Sequence, residues 1–390
     1  MKTHSSYLNS QPSKRDIRID VLRGLALITI FIDHAPMNIW ASYTIRNFGF
    51  SDAAEAFILM SGIAAGLAYS SAFWDGKIKQ TSLKIWKRAA VIYGSHVLSI
   101  ITVIAFMIAL AQALPVYPLI KELHILPFLE HPVEATIGLF LLTYQLGYFN
   151  ILPIYVLLLL MLPALLLIGR RRLSALFWLS ALLWLATHIF TLYMPGWPTG
   201  ARWFINPFGW QLLFVIGLMV GIRKKQGLKL VPFIPSLYFG CIAFLGASLW
   251  WQVTGRVELP RYDFVPNFVY DMTKDNLAFL RLLHILALGY FIANTRWIGK
   301  LLCSGGFRHF AILGQASLTS FVTGSLLVVC LAALHATLSI DEVESTTLLL
   351  LGIAIQYSLA WWMISAKKRK RASAPSVVGT AGRENASAMT

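Results

Sequence analysis

The chain has 390 residues, 57% of them hydrophobic and 13% charged, with a mean hydropathy of +0.66 and a formal net charge of +16. Such a composition excludes an ordinary soluble domain. The excess of cations would suggest nucleic acid in a soluble protein, but in a chain this apolar it serves to hold membrane segments in place, and no nucleic-acid partner is expected. Cys241, Cys303 and Cys330 are too few and too scattered for a disulfide framework or a zinc site, so no metal is expected.

Ten apolar runs are long enough to cross a bilayer, near 22–40, 53–73, 89–113, 148–169, 173–193, 206–222, 233–252, 277–293, 310–335 and 345–366. The first lacks a small-residue cleavage site and reads as a signal anchor. A shorter piece at 135–146 reads as re-entrant or interfacial. One set of alternating loops holds most of the Lys and Arg: Lys77 to Arg88, Arg170 to Arg172, Arg223 to Lys229, Arg296 to Arg308 and Lys367 to Arg371. The other set holds most acids, including Glu122, Glu130, Asp271 and Asp341. By the positive-inside rule both termini are cytoplasmic. The expected fold is therefore all-α, a polytopic membrane helix bundle over 21–366. A cytoplasmic tail at 1–20 precedes it, and a basic, disordered tail at 367–390 follows.

An ionisable side chain costs about 2.5–3.5 kcal/mol at the centre of a membrane helix, so each one suggests a partner or a wet cavity. On the first span, Arg23 and His34 are eleven residues apart, which puts them within about 20° on one face and about 16 Å apart in rise. Asp33 points about 100° away and need not be the partner of His34. On the second span Glu55 shares a face with Gly62 and Gly66, a GxxxG whose small residues let helices approach closely. Arg202, Asn206 and Gln211 open the sixth span, and Lys274, Arg281 and His284 form a polar stripe at the start of the eighth. The plainer alternatives are a buried imidazole satisfied by a neighbouring helix for His34, an interfacial carboxylate for Glu55, and headgroup anchoring for Arg202 and Lys274.

The pattern R-x-D-x-x-R-G ahead of a span with a late histidine is carried by Arg18, Asp20, Arg23, Gly24 and His34. With it the chain resembles the membrane-integral acyltransferase superfamily. EAFILMSGIAAG (55–66), NPFGWQ (206–211) and the 274–284 stripe are similar to its OpgC branch, which is associated with succinyl transfer to osmoregulated periplasmic glucans in Gram-negative bacteria. The resemblance runs over most of residues 15–365 and implies a multi-pass inner-membrane O-acyltransferase with His34 as a catalytic residue.

Acyl transfer from a thioester to a sugar hydroxyl needs a base, and histidine suits that role near neutral pH. On this reading Glu55 orients His34. Acyl-CoA, with succinyl-CoA favoured, is a co-substrate rather than a resident cofactor. It docks on Arg18, Arg23 and neighbouring Lys87 or Arg88, with Asp20 in the same motif. The glucan arrives from outside, and Arg281 or Lys274 receives the free carboxylate of a succinyl group. Arg202, Asn206, Gln211 and His284 complete the substrate-binding set. O-acetylation of another envelope polysaccharide is the nearer alternative. A transporter or flippase is the rival from another class, and no internal repeat supports it.

Overall fold

A computed structural model describes residues 16–198, 200–256, 261–262 and 265–372. Among them the secondary structure is helical apart from one isolated bridge between Pro195 and Arg202. Ten helices have 16 residues or more: α1 Ile17–His34, α2 Ala53–Trp74, α3 Ile78–Ala111, α4 Ile151–Arg171, α5 Leu173–Ile189, α6 Pro207–Lys225, α7 Pro235–Val253, α8 Phe279–Asn294, α9 Ser317–Thr337 and α10 Glu342–Ala372. Six of them, α2, α3, α4, α7, α9 and α10, are long and apolar enough to cross a membrane. α1, with Arg18, Asp20, Arg23 and Asp33, and α6, with Arg223, Lys224 and Lys225 in its last turn, are outside that set, and α5 and α8 are shorter apolar helices.

Several boundaries differ from expectation for local reasons. The first helix was expected over 22–40, yet it runs from Ile17 to His34. Asp16 caps its start by accepting from the Arg18 N–H at 3.1 Å. Ala35, which precedes Pro36, is extended and ends it. His34 is thus the last residue of the helix rather than a mid-helix residue. α3 starts eleven residues before the expected 89 and carries Lys79, Lys84, Lys87 and Arg88 in its first turns. The expected 310–335 span breaks at Ala316 into Phe310–Gln315 and α9. The 135–146 piece is a nine-residue helix, Pro132–Phe140, followed by a turn; at about 14 Å it is too short to span. The final helix continues through residues 367–372, where a disordered tail was expected to start, while residues 1–15 and 373–390 lie outside the described residues.

In lipid, apolar side chains gain nothing by leaving the solvent, so helices associate through close packing and polar contacts. The α2–α6 contact shows how. A Cβ on Gly62 would lie 2.2 Å from the Phe214 carbonyl oxygen, and one on Gly66 2.5 Å from that of Leu218. Reciprocally, a Cβ on Gly217 would lie 2.3 Å from the Leu59 oxygen and one on Gly221 2.2 Å from that of Ile63. Glycines from both helices therefore bring the two backbones together, and Phe214 and Leu218 are buried alongside. Gly24 on α1 and Gly314 on the Phe310–Gln315 helix make a second such contact, each facing backbone atoms of the other segment.

Between α3 and α4 three short helices, Tyr117–Glu122, Leu126–Glu130 and Pro132–Phe140, fold into a cap. Leu119, Ile120, Leu123 and Leu139 of the cap form one apolar cluster with Ile100, Ile104 and Met107 of α3 and Val329 of α9. The cap sits at the end of the bundle that carries His34.

Gly217→Ala should destabilise the folded protein by about 1–3 kcal/mol, because the added methyl meets backbone on α2. Gly240→Ala on α7, where a Cβ meets nothing within 4 Å, should be neutral. Thermal unfolding in detergent compares them, and equal behaviour would contradict the packing described for α2 and α6.

Candidate active site

The C-terminal end of α1, the N-terminal end of α2, the cap and the segments before α6 and α8 enclose a cavity of about 510 Å³. Its wall takes Asp33 and His34 from α1, Arg46 and Asp52 from the approach to α2, Tyr148 from the loop between the cap and α4, and Arg202, Trp203 and Lys274 from the later segments. The His34 ring lies 5.0 Å, centroid to centroid, from the ring of Tyr148. Below the cavity His34 also borders a crevice of about 10 Å³ between α1 and α9, lined by Leu27, Ile30, Ser320, Gly324 and Ser325.

Asp52 and Glu55 are placed by a capping box at the start of α2. Asp52 Oδ1 accepts from the Ala54 N–H at 2.8 Å, and Glu55 Oε2 accepts from the Asp52 N–H at 2.9 Å. Their other oxygens meet two cations. Arg281 Nε donates to Glu55 Oε1 at 2.7 Å, and Arg281 Nη2 lies 2.5 Å from Glu55 Oε1 and 3.0 Å from Asp52 Oδ2. Lys274 Nζ donates to Asp52 Oδ2 at 2.7 Å. Glu55 is fully buried, so these bonds replace its hydration. A second pair lies across the cavity: Asp33 Oδ1 accepts from the Thr44 hydroxyl at 2.5 Å and lies 3.6 Å from Arg46 Nε.

The structure places the expected site residues as follows. Glu55 has its oxygens bonded to Arg281 and to the Asp52 N–H, and it is absent from the cavity wall that His34 lines. Arg281 is paired with both Asp52 and Glu55 and does not line the cavity. Lys274 lies in a turn before α8 rather than on a helical stripe; it reaches the cavity from that turn. Asn206, Gln211 and His284 are buried away from the wall. Asn206 caps α6 and donates to Leu192 O at 2.6 Å and to Asn276 Oδ1 at 2.8 Å. Gln211 bonds Ser180, and His284 Nδ1 lies 2.7 Å from Ser51 Oγ.

Asn206, Trp210 and Trp184 hold the turn that carries Lys274. The Asn206 N–H donates to Asp275 O at 2.9 Å, Trp210 Nε1 to Lys274 O at 2.9 Å, and Trp184 Nε1 to Leu277 O at 2.9 Å. Gly209 lets the Asn276 backbone sit against α6, and Leu277 adopts a left-handed φ of 55° inside this clamp. Arg202 stands on the cavity wall with its guanidinium 4.1 Å from the centroid of the Tyr193 ring, a cation–π geometry.

At the opposite end Arg18 Nε donates to Asp16 Oδ1 at 2.9 Å, and Lys224 pairs with the other Asp16 oxygen. The Arg18 guanidinium thereby holds the Asp16 carboxyl well below the usual carboxylate range, although partial burial works the other way. Arg23 Nη2 donates to Met60 O at 3.1 Å, tying α1 to α2, and Asp20 is buried where α1 meets the Phe310–Gln315 helix.

Sequence reasoning missed Asp52, Arg46 and Tyr148. Asp52 had a readable signal, the D-x-x-E spacing of a capping box. Arg46 sits in a three-residue 3₁₀ turn, Ile45–Asn47, and Tyr148 in the loop before α4, both too short for periodicity to mark.

Compared with known families, the chain matches the model described as OpgC protein over residues 15–368, nearly its whole length. No curated protein and no solved structure matches it.

Arg281→Gln should cost about 3–5 kcal/mol of stability, because it leaves Glu55 buried without its cation. Lys274→Gln should cost less, since Asp52 keeps Arg281. Thermal unfolding of the two variants in detergent decides this, and an Arg281→Gln protein as stable as the parent would refute the pairing.

Proposed function

The chain belongs to the OpgC protein family, and on that premise we propose that it transfers a succinyl group from succinyl-CoA to hydroxyls of periplasmic glucans. Family membership gives acyltransferase chemistry in general; the donor, the acceptor and the sidedness belong to the proposal. On this reading ten helices cross the bacterial inner membrane, both termini are cytoplasmic, and the 510 Å³ cavity opens to the periplasm.

The observation that carries the reading is the position of His34. It borders the wide cavity on one side and the α1–α9 crevice on the other. The glucan enters the cavity, where Trp203 and Tyr148 offer aromatic surface and Arg46, Arg202 and Lys274 offer charge. The pantetheine arm of acyl-CoA comes from the other end along the α1–α9 seam. Leu27, Ile30 and Phe31 line its α1 side, and Ser320, Gly324 and Ser325 its α9 side. A crevice of about 10 Å³ holds no more than one water-sized sphere, so the two helices part when the arm enters. Arg18 and Arg23, at the start of α1, stand where the CoA phosphates would lie.

The reaction balances with one histidine. The His34 imidazole takes the proton of a glucan hydroxyl as its oxygen attacks the thioester carbonyl carbon. The tetrahedral intermediate collapses, the carbon–sulfur bond breaks, and the imidazolium returns the proton to the departing thiolate. The products are a glucan ester and free CoA. Lys274 receives the distal carboxylate of the succinyl group. It can share itself between Asp52 and this carboxylate, because Asp52 also keeps its contact with Arg281 Nη2 at 3.0 Å.

With purified protein, labelled acyl-CoA and an oligoglucan, His34→Ala should lower kcat by about 10²- to 10⁴-fold. Full-rate ester formation by the folded variant would end the proposal. Lys274→Gln should lower succinyl transfer by about tenfold or more while leaving acetyl transfer within about twofold. Equal losses with both donors would remove Lys274 from carboxylate binding.

A further inference from the structure

We infer that Tyr148 is the positioning residue of this site, fixing the His34 imidazole against the cavity wall while Glu122 holds the tyrosine; the inference rests on the role given to His34 above. Three independent features single out Tyr148. Its ring stands 5.0 Å from that of His34, with an interplanar angle of 54°. Its hydroxyl donates to Glu122 Oε1 at 3.0 Å. Its backbone has φ 69°, a left-handed conformation that is unusual for a bulky aromatic residue and persists only when its surroundings over-determine it.

Those surroundings are present. The Gly147 N–H donates to Leu123 O at 3.2 Å, and the Tyr144 hydroxyl donates to His124 O at 2.7 Å. Together with the Tyr148–Glu122 bond they lace the 144–148 loop to the end of the Tyr117–Glu122 helix. From below, Ser325 Oγ on α9 donates to Tyr148 O at 3.4 Å. The cap in turn is seated on α3 and α9 by buried Leu119, Ile120 and Leu123. Thus the orientation of Tyr148 is set by a packed apolar base and several hydrogen bonds, none of which involves His34.

His34, by contrast, is the terminal residue of α1, beyond which the chain turns at Pro36. A side chain at a helix end needs an external wall to hold one rotamer, and the phenol face supplies it. Burial, and then Glu122, push the Tyr148 phenol up to about 12, so at neutral pH it stays protonated and keeps its donor role toward Glu122. The seam that the acyl arm follows runs between His34 and Ser325, and Ser325 also bonds Tyr148 O. The tyrosine therefore stands where donor, base and cavity meet.

The test uses full-length protein in detergent, with kcat and KM measured separately for labelled acyl-CoA and oligoglucan. Tyr148→Phe keeps the ring and loses the bond to Glu122; it should lower kcat about three- to tenfold with both KM values unchanged within about twofold. Glu122→Ala should match it, and the double variant Y148F/E122A should be no worse than either single one, since both remove the same bond. Tyr148→Leu removes the ring and should lower kcat by about 100-fold, as a misplaced catalytic group does. Tyr148→Trp, which restores an aromatic face, should recover part of that loss. Wild-type kcat in Y148F and E122A, or additive losses in the double variant, would overturn the positioning role, and both variants are mild enough to decide it even where Y148L does not fold. If His34→Ala itself keeps full activity, the assignment of the base fails instead, and the two failures are distinguishable.

Discussion

The architecture of the site depends on one constraint: buried charges must be neutralised where they stand. Asp52 and Glu55 open α2 at the end of the bundle where the cavity lies, and Arg281 lies between them. Removing both carboxylates from water would be prohibitive without that guanidinium. Once Arg281 is committed, the start of α8 is fixed to the start of α2, and the turn before α8 must follow. Asn206, Trp210 and Trp184 fasten that turn from α6 and α5, which leaves Lys274 projecting into the cavity with one shared carboxylate for company. The charges of the wall are therefore of two kinds. Some hold the helices together, and Lys274 and Arg202 also line the cavity.

The helix packing sorts in the same way. α2 and α6 are locked by glycines that admit backbone to backbone, and α1 is locked by Gly24 to the segment around Gly314. These contacts leave little room for sliding. Between α1 and α9, in contrast, small residues leave the crevice beneath His34. A tightly packed α2–α6 contact beside this crevice fits the proposal that a long flexible donor enters along α1 and α9.

The sequence carried the class of fold because apolar runs of membrane length are a property of composition, and the glycines of α2 were visible as a GxxxG at the right spacing. The histidine motif was legible through its resemblance to a known superfamily, and helical periodicity added only that Arg23 and His34 share a face. What periodicity could not supply was pairing between distant segments. Arg281 looked like a ligand-binding cation because its partners are more than 220 residues earlier. Lys274 looked helical because Leu277 and Ala278 are apolar, while the chain there turns through a left-handed residue. Asn206 and Gln211 are polar groups at the mouth of a span, and only the position of Asn276 and Ser180 shows that they serve the protein's own backbone and side chains. Tyr148 stood at the edge of the expected 148–169 span, whereas the helix begins at Ile151, so nothing in the sequence singled it out.

The central claim is that an activated acyl group reaches His34 along the α1–α9 seam while the acceptor occupies the wide cavity. A structure of the protein with a thioether analogue of succinyl-CoA, which cannot transfer its acyl group, tests this most directly. The account predicts the nucleotide beside Arg18 and Arg23, the pantetheine arm between α1 and α9, and the acyl carbonyl at hydrogen-bond distance from the His34 imidazole. A nucleotide lodged in the 510 Å³ cavity, or an acyl carbonyl remote from His34, would contradict it.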